Sequence, residues 1–126
     1  MGSDLMPTEI IPNLFLGDRA DSESFVGTVV CVQHEQTPTK PSHIWMPLLR
    51  NEERAYLSQL DSTAAIIDGW LSAGPVLVHC GGGIDRAPLV VVWFLHRRRG
   101  LVLDDAYDLV KKRRPQINRH EDWIIR

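Results

Sequence analysis

The stretch VLVHCGGGIDRAPLVVVWFL, Val76 to Leu95, sets one thiol, three glycines and an adjacent Asp85–Arg86 pair between two apolar runs. Those residue types at that spacing describe an oxyanion site. Gly81, Gly82 and Gly83 let successive backbone N–H groups converge on one point. A helix starting just beyond them adds free N–H groups and the positive end of its dipole. Arg86 brings a planar fork that matches two oxygens of a phosphate. Cys80 stands at the mouth of this cradle, where the same donors stabilise a thiolate. A thiolate facing a bound phosphate is placed for in-line attack through a phosphocysteine intermediate. The cradle then stabilises charge on the equatorial oxygens. The bland alternative is a buried thiol beside a plain glycine turn. The coincidence of Cys, glycines and Arg between a strand and a helix outweighs it.

The neighbouring segments must hold that loop. VLVH (76–79) and TVVCVQ (28–33) read as buried strands. EIIPNLFLGD reads as two short strands broken at Pro12-Asn13 and stopped by Gly17, with a short helix in RADSESF. HEQTPTKPSH (34–43) is polar with two prolines and reads as a loop, and IWMPL (44–48) as a short strand. From Glu52 to Ala73 the apolar residues Leu57, Leu60, Ala64, Ile67 and Leu71 mark one helix face. PLVVVWFL fits a strand or a helix by periodicity alone. Pro88 in a first turn, RRR in a last turn and Gly100 after it select a helix. LDDAYDLVKKRR predicts another, with Asp104 as N-cap and Pro115 beyond its end, and NRHEDWIIR predicts the start of a last one. Strands alternating with helices make an α/β fold in one domain.

Composition is that of a globular chain: 126 residues, 44% apolar and 24% charged. Met1-Gly2-Ser3 reads as an added tail and is set aside. No signal peptide and no membrane span is visible. Two cysteines, Cys31 and Cys80, without a CxxC pair argue against zinc or a disulfide framework and favour a reducing cytoplasmic setting. Cys31 reads as a buried strand residue, with a redox partnership to Cys80 as the alternative. Residues 1–74 carry four basic and ten acidic groups, a balance of −6; residues 75–126 carry ten and six, a balance of +4. RRR (97–99) and KKRR (111–114) read as solvated helix ends in preference to a nucleic-acid or lipid surface.

HCGGGIDR fits the His-Cys-x5-Arg signature of cysteine-dependent phosphatases. IPNLFLG (11–17) resembles the N-terminal strand motif of their dual-specificity branch, and VKKRRPQINRHEDWI its later helix and loop. The resemblance implies a central, mostly parallel sheet flanked by helices, with the signature loop between a strand and a helix. It implies Cys80 as nucleophile, Arg86 as phosphate ligand, and backbone N–H groups from Gly81, Gly82, Gly83, Ile84, Asp85 and Arg86. His79 either tunes Cys80 from behind or is merely packed. No metal or other cofactor is implied. The loops 34–43 and 115–120 would rim the pocket.

Two departures from that family matter. Its members usually carry Ser or Thr after the Arg to help hydrolyse phosphocysteine; here stands Ala87, as in the phosphatases of regenerating liver, which implies slow turnover. The usual upstream acid is an Asp, yet no Asp occurs between Lys40 and Leu60. Glu52 and Glu53 are near, and Asp61 is too far along its helix. Asp85 is a candidate for the substitute acid: repulsion from a bound dianion would raise its pKa, and myotubularin-type lipid phosphatases have a similar Asp. Its alternative is a carboxylate turned to solvent or to a neighbouring Arg. The implied substrate is a phosphoprotein, with phosphotyrosine as the default. The rivals are a phosphoinositide or other non-protein phosphatase, a phosphate-binding module of little turnover and, less favoured, a sulfurtransferase.

Overall fold

The structure, a computed structural model, describes residues 7–48 and 54–125. Glu52 and Glu53 therefore lie outside the described residues. Five strands form the central sheet: β1 (Thr8–Ile11), β2 (Leu14–Gly17), β3 (Thr28–Cys31), β4 (Ile44–Trp45) and β6 (Val76–His79). Their order is β1-β2-β6-β3-β4. Only β1 runs antiparallel, joined to β2 by a turn in which Asn13 takes a positive φ of 71°. The other pairings are parallel. The mostly parallel α/β sheet expected from the sequence is what forms.

Every residue of β6 is buried, which is why VLVH reads as an unbroken apolar run. Val76 and Val78 join the main core with Val30, Leu14 and Leu16. That core is completed by α2 (Leu57–Leu71), α3 (Arg86–Arg99) and α4 (Leu103–Arg113). Leu77 and His79 are buried outside that cluster, on the face against which α1 (Arg19–Ser24) packs. The helix α3 is buried from Arg86 to Leu95 because the sheet, α2 and α4 enclose it. Gly100 ends it at φ 77°, in the left-handed region that glycine enters freely.

Four expectations change at element ends. A two-residue strand β5 (Ala55–Tyr56) precedes α2, whose helix begins at Leu57. Asp104 does not cap α4: Val102 is the N-cap, and Asp104 lies in the first turn, where it still meets the helix dipole. NRHEDWIIR yields only a 3-10 turn, Glu121–Trp123, and then β7 (Ile124–Ile125). The strand pairs with β5, which satisfies backbone groups that a helix would have bonded internally. IWMPL keeps two strand residues, since Pro47 has no N–H for a ladder, although Met46 and Leu48 still donate to Cys31 and Val32. Among the described residues, no helix is long and apolar enough to cross a membrane.

Candidate active site

Three connections leaving the carboxyl ends of parallel strands meet at one edge of the sheet, where open α/β folds bind ligands. They follow β2 at Asp18, β3 at Val32 and β6 at Cys80. Cys80 is buried, 3% exposed. Its Sγ accepts from the backbone N–H of Ala87 at 3.4 Å, so the thiol faces the first turn of α3. Arg19 N–H donates to Gly81 O at 3.0 Å and ties the start of α1 to the loop.

The three glycines are not equivalent. Gly83 has φ 70°, and a Cβ there would lie 2.5 Å from Gly17 O and 2.8 Å from an Arg114 terminal nitrogen. Gly81 and Gly82 meet nothing closer than 3.6 Å. Only Gly83 is forced to be glycine, by conformation and by space together.

Arg86 is 8% exposed and pairs with Glu35 in a bidentate fork, at 2.7 Å from Nη1 and 3.0 Å from Nη2. That hydrogen bonding holds the Glu35 carboxyl down at about 2, against the smaller opposing effect of burial. Gln33, buried, donates to Glu35 at 3.3 Å and accepts from Arg19 at 2.8 Å. The loop after β3 does reach the cradle.

The Asp85 side chain is 38% exposed, and its hydrogen-bond partners are not arginines. It accepts from Asn118 Nδ2 at 3.0 Å and lies 2.8 Å from His120 Nε2. Burial pushes its pKa up, but the hydrogen bonds from Asn118 and His120 and the nearby charge of Arg86 prevail, so the net direction is down. In the free site, partners on the loop after α4 favour the carboxylate; the rise expected from the sequence is one that a bound dianion would cause. Asn118 N–H also donates to Ile84 O at 2.7 Å, and His120 stacks on Trp123 with ring centroids 3.6 Å apart.

His79, the last residue of β6, is fully buried. Its Nδ1 lies 3.1 Å from Cys80 O, and its Nε2 has no partner among the described residues. Burial lowers its pKa, so the ring is held neutral. Cys31 sits opposite His79 in the parallel register and outside the core cluster that takes in Cys80. Both thiols are free.

Sequence reasoning gave no role to Gln33, Asn118 or His120, and it missed two charged residues, Arg114 and Glu35. Arg114, expected in a solvated basic end, is 3% exposed and donates to Gly83 O at 3.0 Å and Thr8 Oγ1 at 3.0 Å. A signal existed: Ala106, Val110 and Arg114 follow one another at i+4, so Arg114 continues the buried stripe. Glu35 carried no comparable signal, being one acid in a polar, proline-containing loop. By contrast RRR does lie exposed, but paired: Arg97 with Asp61, and Arg98 and Arg99 with Asp68.

A family model described as the dual specificity phosphatase catalytic domain matches residues 23–125. The chain is 31% identical over 136 residues to dual specificity protein phosphatase 16 of Homo sapiens, covering 97% of this chain and 20% of that protein. It is 32% identical over 124 residues to dual specificity protein phosphatase 2 of Homo sapiens, covering 89% and 39%. The chain thus spans well under half the length of these two curated relatives. The crystal structure of human DUSP28 aligns with TM-score 0.79 at 27% identity, covering 92% of this chain and 89% of that one.

Proposed function

The chain belongs to the dual specificity phosphatase catalytic-domain family, and from that premise we propose that it hydrolyses phosphate monoesters on proteins through phosphocysteine at Cys80. The observation that carries this reading is the thiol aimed at the N-terminus of α3 with Arg86 beside it. The substrate phosphoryl group would sit over Cys80, taking N–H groups from Gly81 to Arg86 and the Arg86 fork. The Cys80 sulfur attacks phosphorus as the ester oxygen leaves with a proton. Water then attacks phosphorus, and the thiolate departs with inorganic phosphate released. His79 would act through the backbone carbonyl of Cys80, which its Nδ1 contacts. Pairing of Arg97, Arg98 and Arg99 with acids of α2 weakens the charge argument for a lipid substrate. A nucleophilic thiol and two free cysteines suit a reducing cytoplasm.

The leaving-group proton is assigned to the Asp85–His120 pair. Glu35 is held ionised by Arg86, which removes it as a donor near neutral pH. An ionised Asp85 cannot donate by itself, yet it anchors the His120 ring beside the loop. General acid catalysis is typically worth about 10²–10⁴-fold. Asp85→Asn and His120→Gln should both slow alkyl phosphates far more than an activated aryl phosphate. If Asp85→Asn only lowers KM, the carboxylate acts by repelling the dianion.

The deciding experiment is phosphate release from phosphotyrosine and phosphothreonine peptides, a small aryl phosphate and phosphoinositides, with wild type and Cys80→Ser. The variant should bind oxyanions and release nothing; hydrolysis near the wild-type rate excludes Cys80 as nucleophile. Ala87 is fully buried beside the thiol, so the small change Ala87→Ser is the test of the missing hydroxyl. Wild type should show a burst and then a slow phase, and the variant should speed only the slow phase.

A further inference from the structure

We propose that the open edge of β4, with Lys40 in its groove, is a docking surface for an extended acidic segment of the phosphoprotein substrate, an inference that rests on the phosphatase reading above. β4 is the last strand in the sheet order and pairs with β3 alone. In that register Met46 N–H donates to Cys31 O at 2.9 Å. Backbone groups alternate sides along a strand, so the N–H and C=O of Trp45 face away from β3, on the open edge. Two cavities lie along this edge. One, of about 490 Å³, is walled by Pro38, Pro41 and Trp45; the other, of about 240 Å³, by Phe25, Ile44 and Trp70. Lys40 and His43 line both and join them into one groove. Trp45 and Trp70 are 41% and 45% exposed, two of the four large apolar side chains left open among the described residues.

The groove is cationic and lacks an acid. Lys40 is exposed, and its ammonium makes no hydrogen bond or ion pair among the described residues. No acidic side chain lines either cavity. Glu35, the one acid of the loop 34–43, is taken up by Arg86. Burial and the charge of Lys40 hold His43 below its ordinary pKa, and a carboxylate in the groove would relieve that repulsion. The fitting occupant is therefore an extended peptide. Its backbone meets Trp45, a carboxylate meets Lys40, and apolar side chains enter the two cavities. A second copy of this chain fits less well, because β4 has two residues and Pro41 and Pro47 flank it. The groove also lies on the arm that reaches the cradle: Trp45 Nε1 donates to Gln33 O at 2.6 Å. Lys40 stands five residues after Glu35, a separation that extended chain spans in at most about 18 Å. A segment about six to eight residues from the phosphorylated side chain can thus sit at Lys40 while the phosphate sits over Cys80.

The probes are a phosphotyrosine peptide alone, the same peptide with Leu-Glu-Leu-Glu joined about six residues to either side, and its counterpart with lysines for the glutamates. Turnover of these and of a small aryl phosphate is followed with wild type, Lys40→Glu and Lys40→Arg. Calorimetry follows binding of the unphosphorylated acidic peptide to the same three proteins. Lys40 is exposed, and both variants should fold. The acidic tail should lower KM about tenfold in wild type and in Lys40→Arg, and Lys40→Glu should abolish that gain with kcat unchanged, the mark of lost binding. The aryl phosphate should turn over equally in all three proteins. The surface is overturned if the acidic tail gives no gain in wild type, or if the lysine tail gains as much. It is equally overturned if Lys40→Glu slows the aryl phosphate as well, because Lys40 then acts through the cradle. A wild type that binds the acidic peptide, loses it in Lys40→Glu and hydrolyses nothing keeps the surface and sinks the hydrolase reading.

Discussion

The two ends of α3 both carry arginines, and they differ in nearly every respect that matters physically. At the N-terminal end Arg86 is almost buried, stands alone in sequence and is held by an acid 51 residues away. At the C-terminal end Arg97, Arg98 and Arg99 are exposed, adjacent and paired with two acids of α2. The cluster is conspicuous in the sequence and worth little, because exposed pairs are well solvated and each is worth about 0–1 kcal/mol. The lone arginine is the one whose placement the surrounding fold enforces. Arg114 behaves like Arg86 although it sits in a basic run: burial and partners, rather than local charge density, separate the two classes.

The comparison can be broken first at Arg86. Arg86→Ala should cost about 10²–10³-fold in kcat/KM, the typical effect of losing one preorganised oxyanion donor. Arg86→Lys should remain severely impaired, since an ammonium keeps the charge and loses the fork. A lysine variant of near wild-type rate would mean that charge alone matters at this end. Next come the supports of the loop. Gly83→Ala should destabilise by about 1–3 kcal/mol from backbone conformation alone, with more from the clash on Gly17. Gly81→Ala should stay within about 0.5 kcal/mol. Urea unfolding of the two reads the difference, and equal costs would show that the loop tightens evenly.

Arg114→Met should leave Gly83 O without its donor and cost about 1–3 kcal/mol, with activity falling alongside. An Arg114→Met protein as stable and active as wild type would return this residue to the solvated class. A smaller effect belongs to pH. Glu35 ionises at about 2 in the folded chain against an ordinary 4.5. Its pairing therefore adds stability that is complete above 4.5 and is lost as pH falls toward 2. The stability gap between wild type and Glu35→Ala should be flat from pH 5 to 8 and should close in acid. Least of all, Arg98→Ala should change stability by less than about 1 kcal/mol, and that small change should shrink further in salt.

The strands, the long helices and the cradle were legible because each depends on local pattern: apolar runs, an i+4 stripe, glycine and proline punctuation. Cys80 and Arg86 could be read as a pair because the motif that places them is contiguous. Glu35, Gln33 and Asn118 could not, since their roles exist only after distant strands and loops meet. Asp85 shows the limit most clearly. Its position in the loop was plain, but the direction of its pKa depends on Asn118 and His120, which lie 33 and 35 residues away. The end of the chain was misread for a related reason: β7 takes its hydrogen bonds from Ala55 and Tyr56, a pairing that no local window contains.

The reach of Arg114 has a consequence for how the protein comes into being. This side chain joins Gly83 O to Thr8, across 31 and 106 residues of sequence. Chains emerge from the ribosome N-terminus first, at about 5–20 residues per second. The sheet strands and the whole cysteine loop are synthesised before the arginine that braces them. A nascent chain stopped short of residue 114 thus carries every residue of the Cys80–Arg86 loop without the arginine that braces it from behind.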